Sequence, residues 1–175
     1  YFTFEFYKYP CYLLTMKFLK QTDPQIYNLI KKEEKRLQET LMMIPSENLA
    51  SKAVEEAVGS SLGNKYAEGY PGRRYYQGQQ IVDQVENLVI ERVMKIFGVP
   101  AANVQALSGS PANFAVYTGL LNPGDTLMGL DLASGGHLTH GAAKSASSIY
   151  FKSVPYGVDK KGHIDFEALL QGQGL

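Results

Sequence analysis

The sequence predicts an α/β fold in which a helical arm precedes a parallel sheet. Hydrophobic residues make up 45% of the 175 residues, which is enough for one buried core. Apolar residues recur at helical spacing through the N-terminal half of the chain. After residue 100, short apolar runs alternate with helical segments across turns rich in Gly and Pro. That alternation is typical of a sheet covered by helices, and no internal repeat or linker marks a domain boundary.

The first predicted element is an amphipathic helix that begins near residue 24. Asp23 supplies an N-cap, and Pro24 occupies the first turn, where its missing N–H costs nothing. Ile26, Ile30 and Leu37 then recur at helical spacing among lysines and glutamates. Such a helix needs a partner surface for its apolar face.

Two further helices and a loop complete the predicted arm. A helix is expected from Ser51 to Leu62, with Gly63 as its stop. Residues 63–80 are dense in Gly, Tyr and Arg without periodicity, so they are expected to form an ordered loop. The apolar stripe over 81–97 predicts the clearest helix of the chain.

The C-terminal half predicts strands and helices in alternation. Strands are expected at 104–107, 126–132 and 148–156, and a helix is expected over 111–121. Asp165 is expected to cap a final helix that begins "FEALL". The glycine-rich loop after the second of these strands would lie at a carboxyl edge, where open α/β sheets bind ligands.

The first fifteen residues contain no apolar run long enough for a signal peptide or a membrane span. Met16 begins a polar stretch that leads into the capped helix, so we expect residues 1–15 to lie upstream of the natural start. A native β-rich arm is the alternative. Cys11 is the only cysteine, which excludes an internal disulfide and favours a reducing, cytoplasmic compartment.

The balance of charge disfavours nucleic acid and anionic membranes as partners. Lys plus Arg and Asp plus Glu number 17 each, so there is no excess positive field. We therefore expect neither a nucleic-acid partner nor a membrane partner.

The stretch "ALSGSPAN" predicts an anion seat at a helix start. With Ser110 as N-cap and Pro111 as the first helical residue, free N–H groups and the helix dipole would converge on one spot. Gly109 would let an anion approach the backbone. An ordinary capped helix is the alternative. The chain has no G-x-G-x-x-G opening a βαβ unit and no P-loop lysine, so the phosphate would belong to something other than ATP or NAD.

The loop "SGGHLTHG", residues 134–141, carries the second candidate site. His137 and His140 are spaced as metal ligands can be, but no cluster of Cys, Asp or Glu completes a site, and none is predicted. Gly135 and Gly136 would instead allow an imidazole to lie flat over an aromatic ring. Simple bonding of both imidazoles to loop backbone is the alternative.

The stretch "NKYAEGYPGRRYYQG", residues 64–78, carries a third candidate. Glu68 lies among aromatic residues that are able to raise its pKa into a range useful for proton transfer. A packing loop in which Glu68 pairs with Arg73 or Arg74 is the alternative. A fourth stretch, "IPSEN", places Ser46 in a turn before a helix.

Together these stretches resemble the serine hydroxymethyltransferases, which are pyridoxal-phosphate enzymes of the aspartate-aminotransferase fold. The matching segments are "IPSEN", "NKYAEGYPGRRYY", "ANVQALSGSPANFAVYTGLL", "GLDLASGGHLTHG" and "VPYGVDKKGHIDF". They occur in the family's order and cover roughly residues 24–170. The resemblance divides the chain into an extension (1–23), an arm with the Tyr/Gly-rich loop (24–80), and the first part of the fold type I large domain (81–175).

The resemblance assigns roles to matching residues. It implies that Gly109 and Ser110 bind the cofactor phosphate and that His137 stacks on the pyridine ring. Glu68 would act in proton transfer, and Tyr66 and Tyr76 would line the site. Ser46 would help to hold the substrate carboxylate, and the positions that match folate contacts are Leu132, Gly136 and Leu138. Tyr66 and Glu68 reach a neighbouring subunit's site in the family, so a homodimer or tetramer is implied.

The implied reaction interconverts serine and glycine and transfers a one-carbon unit to tetrahydrofolate, with pyridoxal 5′-phosphate as cofactor. The family's Schiff-base lysine, its pyridine-pairing aspartate and its carboxylate-binding arginine match no residue here. We therefore expect the chain alone to be inactive. Because part of a doubly wound sheet leaves strand edges and an apolar face open, we also expect it to be prone to self-association. A short non-catalytic partner of a complete subunit, an unrelated phosphate-binding module and a sister enzyme such as threonine aldolase remain open as alternatives.

Overall fold

The structure is a computed structural model that describes residues 16–171. It divides into two compact units that meet in sequence between Gln84 and Val85. The helices are α1 (Lys17–Thr22), α2 (Pro24–Glu39), α3 (Lys52–Val58), α4 (Gln80–Phe97), α5 (Gly109–Leu120), α6 (Ala146–Tyr150) and α7 (Phe166–Gln171). The strands are β1 (Gly69–Tyr70), β2 (Arg73–Arg74), β3 (Thr126–Leu130) and β4 (Lys152–Tyr156). The expectations for residues 1–15, including Cys11, fall outside the described residues.

Helix α2 begins where its capping residues predict. The Asp23 carboxylate accepts a hydrogen bond from the Ile26 N–H at 3.0 Å, and Pro24 is the first helical residue. Ion pairs one turn apart, such as Lys31 with Glu34 at 2.6 Å, line its polar face. Helix α4 likewise confirms the helix predicted over 81–97.

Helix α3 is shorter than predicted. Ser51 caps it as expected, but it ends at Val58, and the predicted end at Leu62 is wrong. Gly59 lacks a side chain that would favour helix, and the Ser60 hydroxyl accepts a hydrogen bond from the Leu62 N–H to start a separate 3₁₀ turn over Ser61–Asn64.

The predicted ordered loop contains a small antiparallel hairpin. Strands β1 and β2 pair Gly69 with Arg74 and Tyr70 with Arg73. Gly69 has a φ of 97°, a left-handed conformation that favours glycine, and a Cβ there would overlap the Arg73 carbonyl oxygen. The hairpin fixes the shape of the segment that carries Glu68.

The C-terminal unit contains a parallel pair of strands. Strands β3 and β4 pair in register from Thr126 with Lys152 to Leu130 with Tyr156. The predicted strand at 126–132 is confirmed over its first five residues. The strand predicted at 148–156 is correct only from Lys152, because the Ser145 side chain accepts a hydrogen bond from the Ser147 N–H and starts α6 instead.

The strand predicted at 104–107 is wrong. These residues are irregular, and Leu107 is 95% exposed. An extended segment forms a strand only when a neighbour accepts and donates its backbone hydrogen bonds, and no described segment pairs with 104–107 in this way.

The core of the C-terminal unit is small. Phe151 is the one buried apolar side chain among residues 16–167 and 169–170, and its ring meets Tyr117 edge-on at a centroid distance of 5.9 Å. Burial raises the pKa of the Tyr117 hydroxyl.

No helix in the described part of the chain has the length and apolar character needed to span a membrane.

Candidate active site

The candidate anion seat lies at the start of α5. The residue at the N-cap is Ser108, in extended conformation, so the prediction of Ser110 as N-cap is wrong. The helix begins at Gly109, and Pro111 lies inside its first turn. Proline is tolerated there because the first N–H groups of a helix have no intrahelical partner in any case.

This helix start leaves two consecutive backbone donors open. The N–H groups of Gly109 and Ser110 make no hydrogen bond within residues 16–171, and the Ser108 side chain caps neither of them. Gly109 is exposed, and a Cβ built on it would have no atom within 4 Å. Open amides at the positive end of a 12-residue helix suit a phosphate.

The histidine loop is anchored at the end of β3. The Asp131 N–H donates to the Tyr156 carbonyl oxygen at 2.9 Å, and Asp131 Oδ1 accepts from the Ser134 N–H at 2.6 Å. The Gly136 N–H donates to the Asp131 carbonyl oxygen at 2.8 Å. A Cβ at Gly136 would overlap the Leu130 carbonyl oxygen, so this position requires glycine.

A hydrogen-bonded group joins α5 to this loop. The Asn113 side-chain amide donates to Thr139 Oγ1 at 2.8 Å and lies 3.4 Å from His140 Nε2. Thr139 Oγ1 lies 2.7 Å from His137 Nδ1, which also accepts from the Thr139 N–H at 3.2 Å. The His137 and His140 rings meet edge-on at a centroid distance of 5.8 Å. The helix of the anion seat is thereby tied to the loop of the candidate stacking imidazole.

A cavity of about 550 Å³ opens beside the histidine loop. His137 and Leu132 line it together with Asp131, His140 and Pro155. Leu138 is 55% exposed and does not line the cavity, and neither does Gly136, whose N–H is bonded to the Asp131 carbonyl oxygen.

The remaining candidate residues lie in the N-terminal unit. Tyr66 and Tyr76 meet edge-on at a centroid distance of 6.0 Å. The side-chain amide of the buried Gln79 donates to the Tyr66 carbonyl oxygen at 2.6 Å and so holds the backbone beside Glu68. Ser46 is exposed, in the turn that the Glu47 N–H closes on the Ile44 carbonyl oxygen at 3.1 Å.

The Glu68 carboxylate makes no ion pair within the described part of the chain. The expected alternative, pairing with Arg73 or Arg74, is therefore not what the structure contains. Arg74, whose side chain is 4% exposed, donates from Nε to Asp83 Oδ1 at 2.8 Å and from Nη1 to the Ala67 and Gly69 carbonyl oxygens at 2.6 and 2.9 Å. These bonds fix the backbone on both sides of Glu68 and leave its carboxylate exposed.

The sequence reasoning missed Asn113 and Thr139, and it named Arg74 only as a possible partner of Glu68. Asn113 stands out in retrospect as an amide in the otherwise apolar stretch that follows "GSPA", and Thr139 lies between two histidines. Residues 16–171 contain no group of three His, Cys, Asp or Glu side chains placed to hold a metal ion.

Comparison with known proteins identifies relatives of this chain. The family model of serine hydroxymethyltransferase matches residues 19–173. A serine hydroxymethyltransferase from Acidothermus cellulolyticus is 59% identical over 150 residues, which cover 85% of this chain and 35% of the relative.

Two other relatives carry the same name. The serine hydroxymethyltransferase of Desulfotalea psychrophila is 51% identical over 154 residues, covering 88% of this chain and 36% of the relative. That of Wolbachia pipientis is 58% identical over 146 residues, covering 83% and 34%. The chain thus spans about a third of the length of the relatives it matches.

Proposed function

Because the chain belongs to the serine hydroxymethyltransferase family, we propose that it serves the interconversion of serine and glycine with transfer of a one-carbon unit to tetrahydrofolate. Pyridoxal 5′-phosphate is the proposed cofactor. The single observation that carries the proposal is the open start of α5, tied through Asn113 to the loop of His137.

The residues at the start of α5 fit the cofactor's phosphate. The backbone N–H groups of Gly109 and Ser110, which have no partner among residues 16–171, lie at the positive end of the helix, and the half-buried Ser110 hydroxyl adds a third donor. Pro111 supplies no N–H, so the donors are confined to the first two helical residues. When bound, pyridoxal phosphate supplies an electron sink for the carbanion that remains when the hydroxymethyl carbon leaves serine.

His137 is proposed to support the cofactor ring. Its Nδ1 is engaged by Thr139, so the ring has a fixed orientation while remaining exposed on the loop. A fixed imidazole offers a flat surface for an aromatic ring at little further cost in side-chain entropy.

The N-terminal unit is proposed to supply proton transfer and substrate contacts. Glu68 moves a proton at its carboxylate, a role that suits an acid that pairs with no cation in the described part of the chain. Tyr66 and Tyr76 line the site, and Ser46 binds the substrate carboxylate. We assign Leu132, Gly136 and Leu138 to contacts with the folate.

The proposal extends to assembly and location. We propose that the working enzyme is a homodimer or tetramer in which Tyr66 and Glu68 serve a neighbouring subunit's site. A cytoplasmic location suits a chain whose only cysteine is Cys11.

The phosphate seat is tested with pyridoxamine 5′-phosphate, which lacks the aldehyde and so does not react with surface lysines. Calorimetric titration of the full chain should give saturable binding, and pyridoxamine without the phosphate should give none. Ser110→Ala removes one donor to a charged ligand, and we expect about tenfold weaker binding. Ser61→Ala, on the exposed 3₁₀ turn of the other unit, is the matched control and should bind as the wild type does.

Equal binding of pyridoxamine with and without its phosphate would contradict the assignment of an anion seat. An equal loss of affinity for pyridoxamine 5′-phosphate in Ser110→Ala and Ser61→Ala would also contradict it, because the effect would then not be local to α5.

A further inference from the structure

We infer that Asn113 is a positioning residue that sets opposite proton positions on the two imidazoles of the histidine loop. Its amide holds neutral His137 with the proton on Nε2 and neutral His140 with the proton on Nδ1. The inference rests on the proposed function only in that His137 is the residue proposed to face the cofactor ring.

The proton position of His137 follows from its partners. Its Nδ1 accepts a hydrogen bond from the Thr139 N–H at 3.2 Å, so a neutral ring carries its proton on Nε2. Asn113 donates to Thr139 Oγ1 at 2.8 Å, which directs the hydroxyl proton of Thr139 toward His137 Nδ1 at 2.7 Å. Thr139 is 5% exposed, so this hydroxyl is removed from bulk water.

The proton position of His140 follows from the second hydrogen of the same amide. Asn113 Nδ2 lies 3.4 Å from His140 Nε2, and an amide nitrogen only donates. His140 Nε2 therefore accepts, and the proton of the neutral ring is on Nδ1. The side-chain amide of Asn113 thus determines the proton position on both imidazoles, and Asn113 lies on α5, the helix that carries the anion seat.

The function of this arrangement is orientation of His137. Because the ring is held at Nδ1 through a buried hydroxyl that α5 itself positions, the ring plane is set relative to the helix whose start is proposed to bind the phosphate. A ring held in this way needs no reorientation when an aromatic ligand arrives.

The test is direct observation of the three histidines in the ¹⁵N-labelled full chain by long-range ¹H–¹⁵N correlation. The spectra are recorded without cofactor near pH 8.5, well above the usual histidine pKa of about 6.5. We expect His137 as the Nε2–H form and His140 as the Nδ1–H form. Finding His140 as the Nε2–H form, or His137 as the Nδ1–H form, would overturn the inference.

Asn113→Asp should move the proton of neutral His140 from one ring nitrogen to the other, which a merely structural role of Asn113 would not do. A carboxylate only accepts hydrogen bonds, so His140 should change to the Nε2–H form. Asn28→Asp, the same change on the exposed polar face of α2, is the control and should leave both imidazoles unchanged. An unchanged His140 in Asn113→Asp would also overturn the inference.

Substitutions at Thr139 separate this inference from the proposed function. Thr139→Val removes the hydroxyl in the same shape and should give His137 a mixture of both forms and several-fold weaker binding of pyridoxamine 5′-phosphate, whereas Thr139→Ser should restore both. If the wild type shows the expected proton positions but binds no pyridoxamine 5′-phosphate, the proposed function fails and the inference on proton positions stands. If it binds the ligand and Thr139→Val changes neither His137 nor the affinity, the inference fails instead.

Discussion

Arg74 shows how one buried side chain shapes the segment that carries Glu68. Its guanidinium reaches the carbonyl oxygens of Ala67 and Gly69, which flank Glu68, and it pairs with Asp83 on α4. The guanidinium of arginine holds five N–H donors in a fixed plane, whereas the ammonium of lysine has three donors at a single nitrogen. The conformation around Glu68 therefore depends on Arg74, the second residue after the hairpin turn.

The Arg74–Asp83 pair predicts an acid-sensitive segment. Hydrogen bonds from Arg74 and from the Gly72 N–H lower the pKa of Asp83 in the folded chain. The unfolded state then binds the proton more readily, so the contribution of the pair to stability is complete above the unfolded pKa of about 4 and is lost as the pH falls through the lower folded value. We expect amide hydrogen exchange at Gly72 and Tyr75 to accelerate below about pH 4.

Asp83→Asn is the matched variant for this prediction. It keeps the shape of the side chain but removes the charge, so exchange at Gly72 should be faster at neutral pH and should no longer respond to acid beyond the intrinsic exchange chemistry. An Asp83→Asn chain with the wild-type acid response would show that another group is responsible.

At the residue scale, the sequence pointed to candidate site residues but not to the residues that hold them in place. The motifs were sufficient to single out Gly109, Ser110 and His137, because glycine, serine and histidine in these patterns have direct chemical uses. The partner of Arg74 was not predictable, since Asp83 lies on the next helix and the choice between it and Glu68 depends on tertiary geometry. The N-cap of α5 is Ser108 and not Ser110. The sequence pattern did not distinguish the two, because a proline is tolerated anywhere in the first turn of a helix, and Pro111 is the third helical residue rather than the first.

At the scale of elements, the helices were more predictable than the strands. Helix α2 is specified locally by Asp23, Pro24 and its apolar periodicity, so no distant partner is needed to identify it. The segment 104–107 has the apolar character of a strand, but strand formation depends on a neighbour that sequence pattern alone does not supply. Strands β3 and β4 formed because each provides that neighbour for the other.

The N-cap of α2 predicts a measurable local effect. Asp23 accepts the Ile26 N–H, and the first turn of the helix has no other acidic residue. Asp23→Ala should therefore cost about 1 kcal/mol of local stability, which corresponds to roughly fivefold faster hydrogen exchange in the first turn.

Asp23→Ser keeps a capping oxygen and should retain most of the protection. Equal protection in Asp23→Ala and the wild type would show that α2 does not depend on this cap.

At the scale of the whole molecule, apolar surface exceeds apolar core. Phe151 is the one buried apolar side chain in the described part, whereas Leu41, Val58, Leu107 and Leu120 are each more than three-quarters exposed. Single exposed apolar residues are ordinary, but in the described part of the chain exposed large apolar side chains far outnumber buried ones, and such an excess favours contact with other protein surfaces.

We therefore predict that the chain self-associates in solution. Sedimentation velocity at increasing protein concentration should show a rising average mass, and high salt should not reverse it because the contacts are apolar rather than ionic. A single sedimenting species with the monomer mass of 19.4 kDa at all concentrations would contradict this prediction.

The α/β class and the parallel pairing of β3 with β4 were predictable, because alternation of strand-like and helical segments is a property of the sequence. The number of strands in the sheet was not predictable, because a segment becomes a strand only where another segment pairs with its backbone. The start of α6 was missed because Ser145 caps a helix there, whereas the residues from Ser148 onward also fit the pattern of a strand.

The histidine loop is fastened at both ends to β4, by the Asp131 N–H on the Tyr156 carbonyl oxygen and by the Ser153 hydroxyl on the Gly141 carbonyl oxygen at 2.6 Å. Surface loops generally accept inserted or deleted residues, because their ends are free to adjust. Here the ends of the loop are bonded to one strand, and its middle is bonded to α5 through Asn113. The number of residues between Asp131 and Gly141 therefore sets the distance of His137 from the ends of the strands. We therefore expect that adding or removing one residue between Asp131 and Gly141 would displace this imidazole, whereas exchanging an exposed side chain within the loop would not.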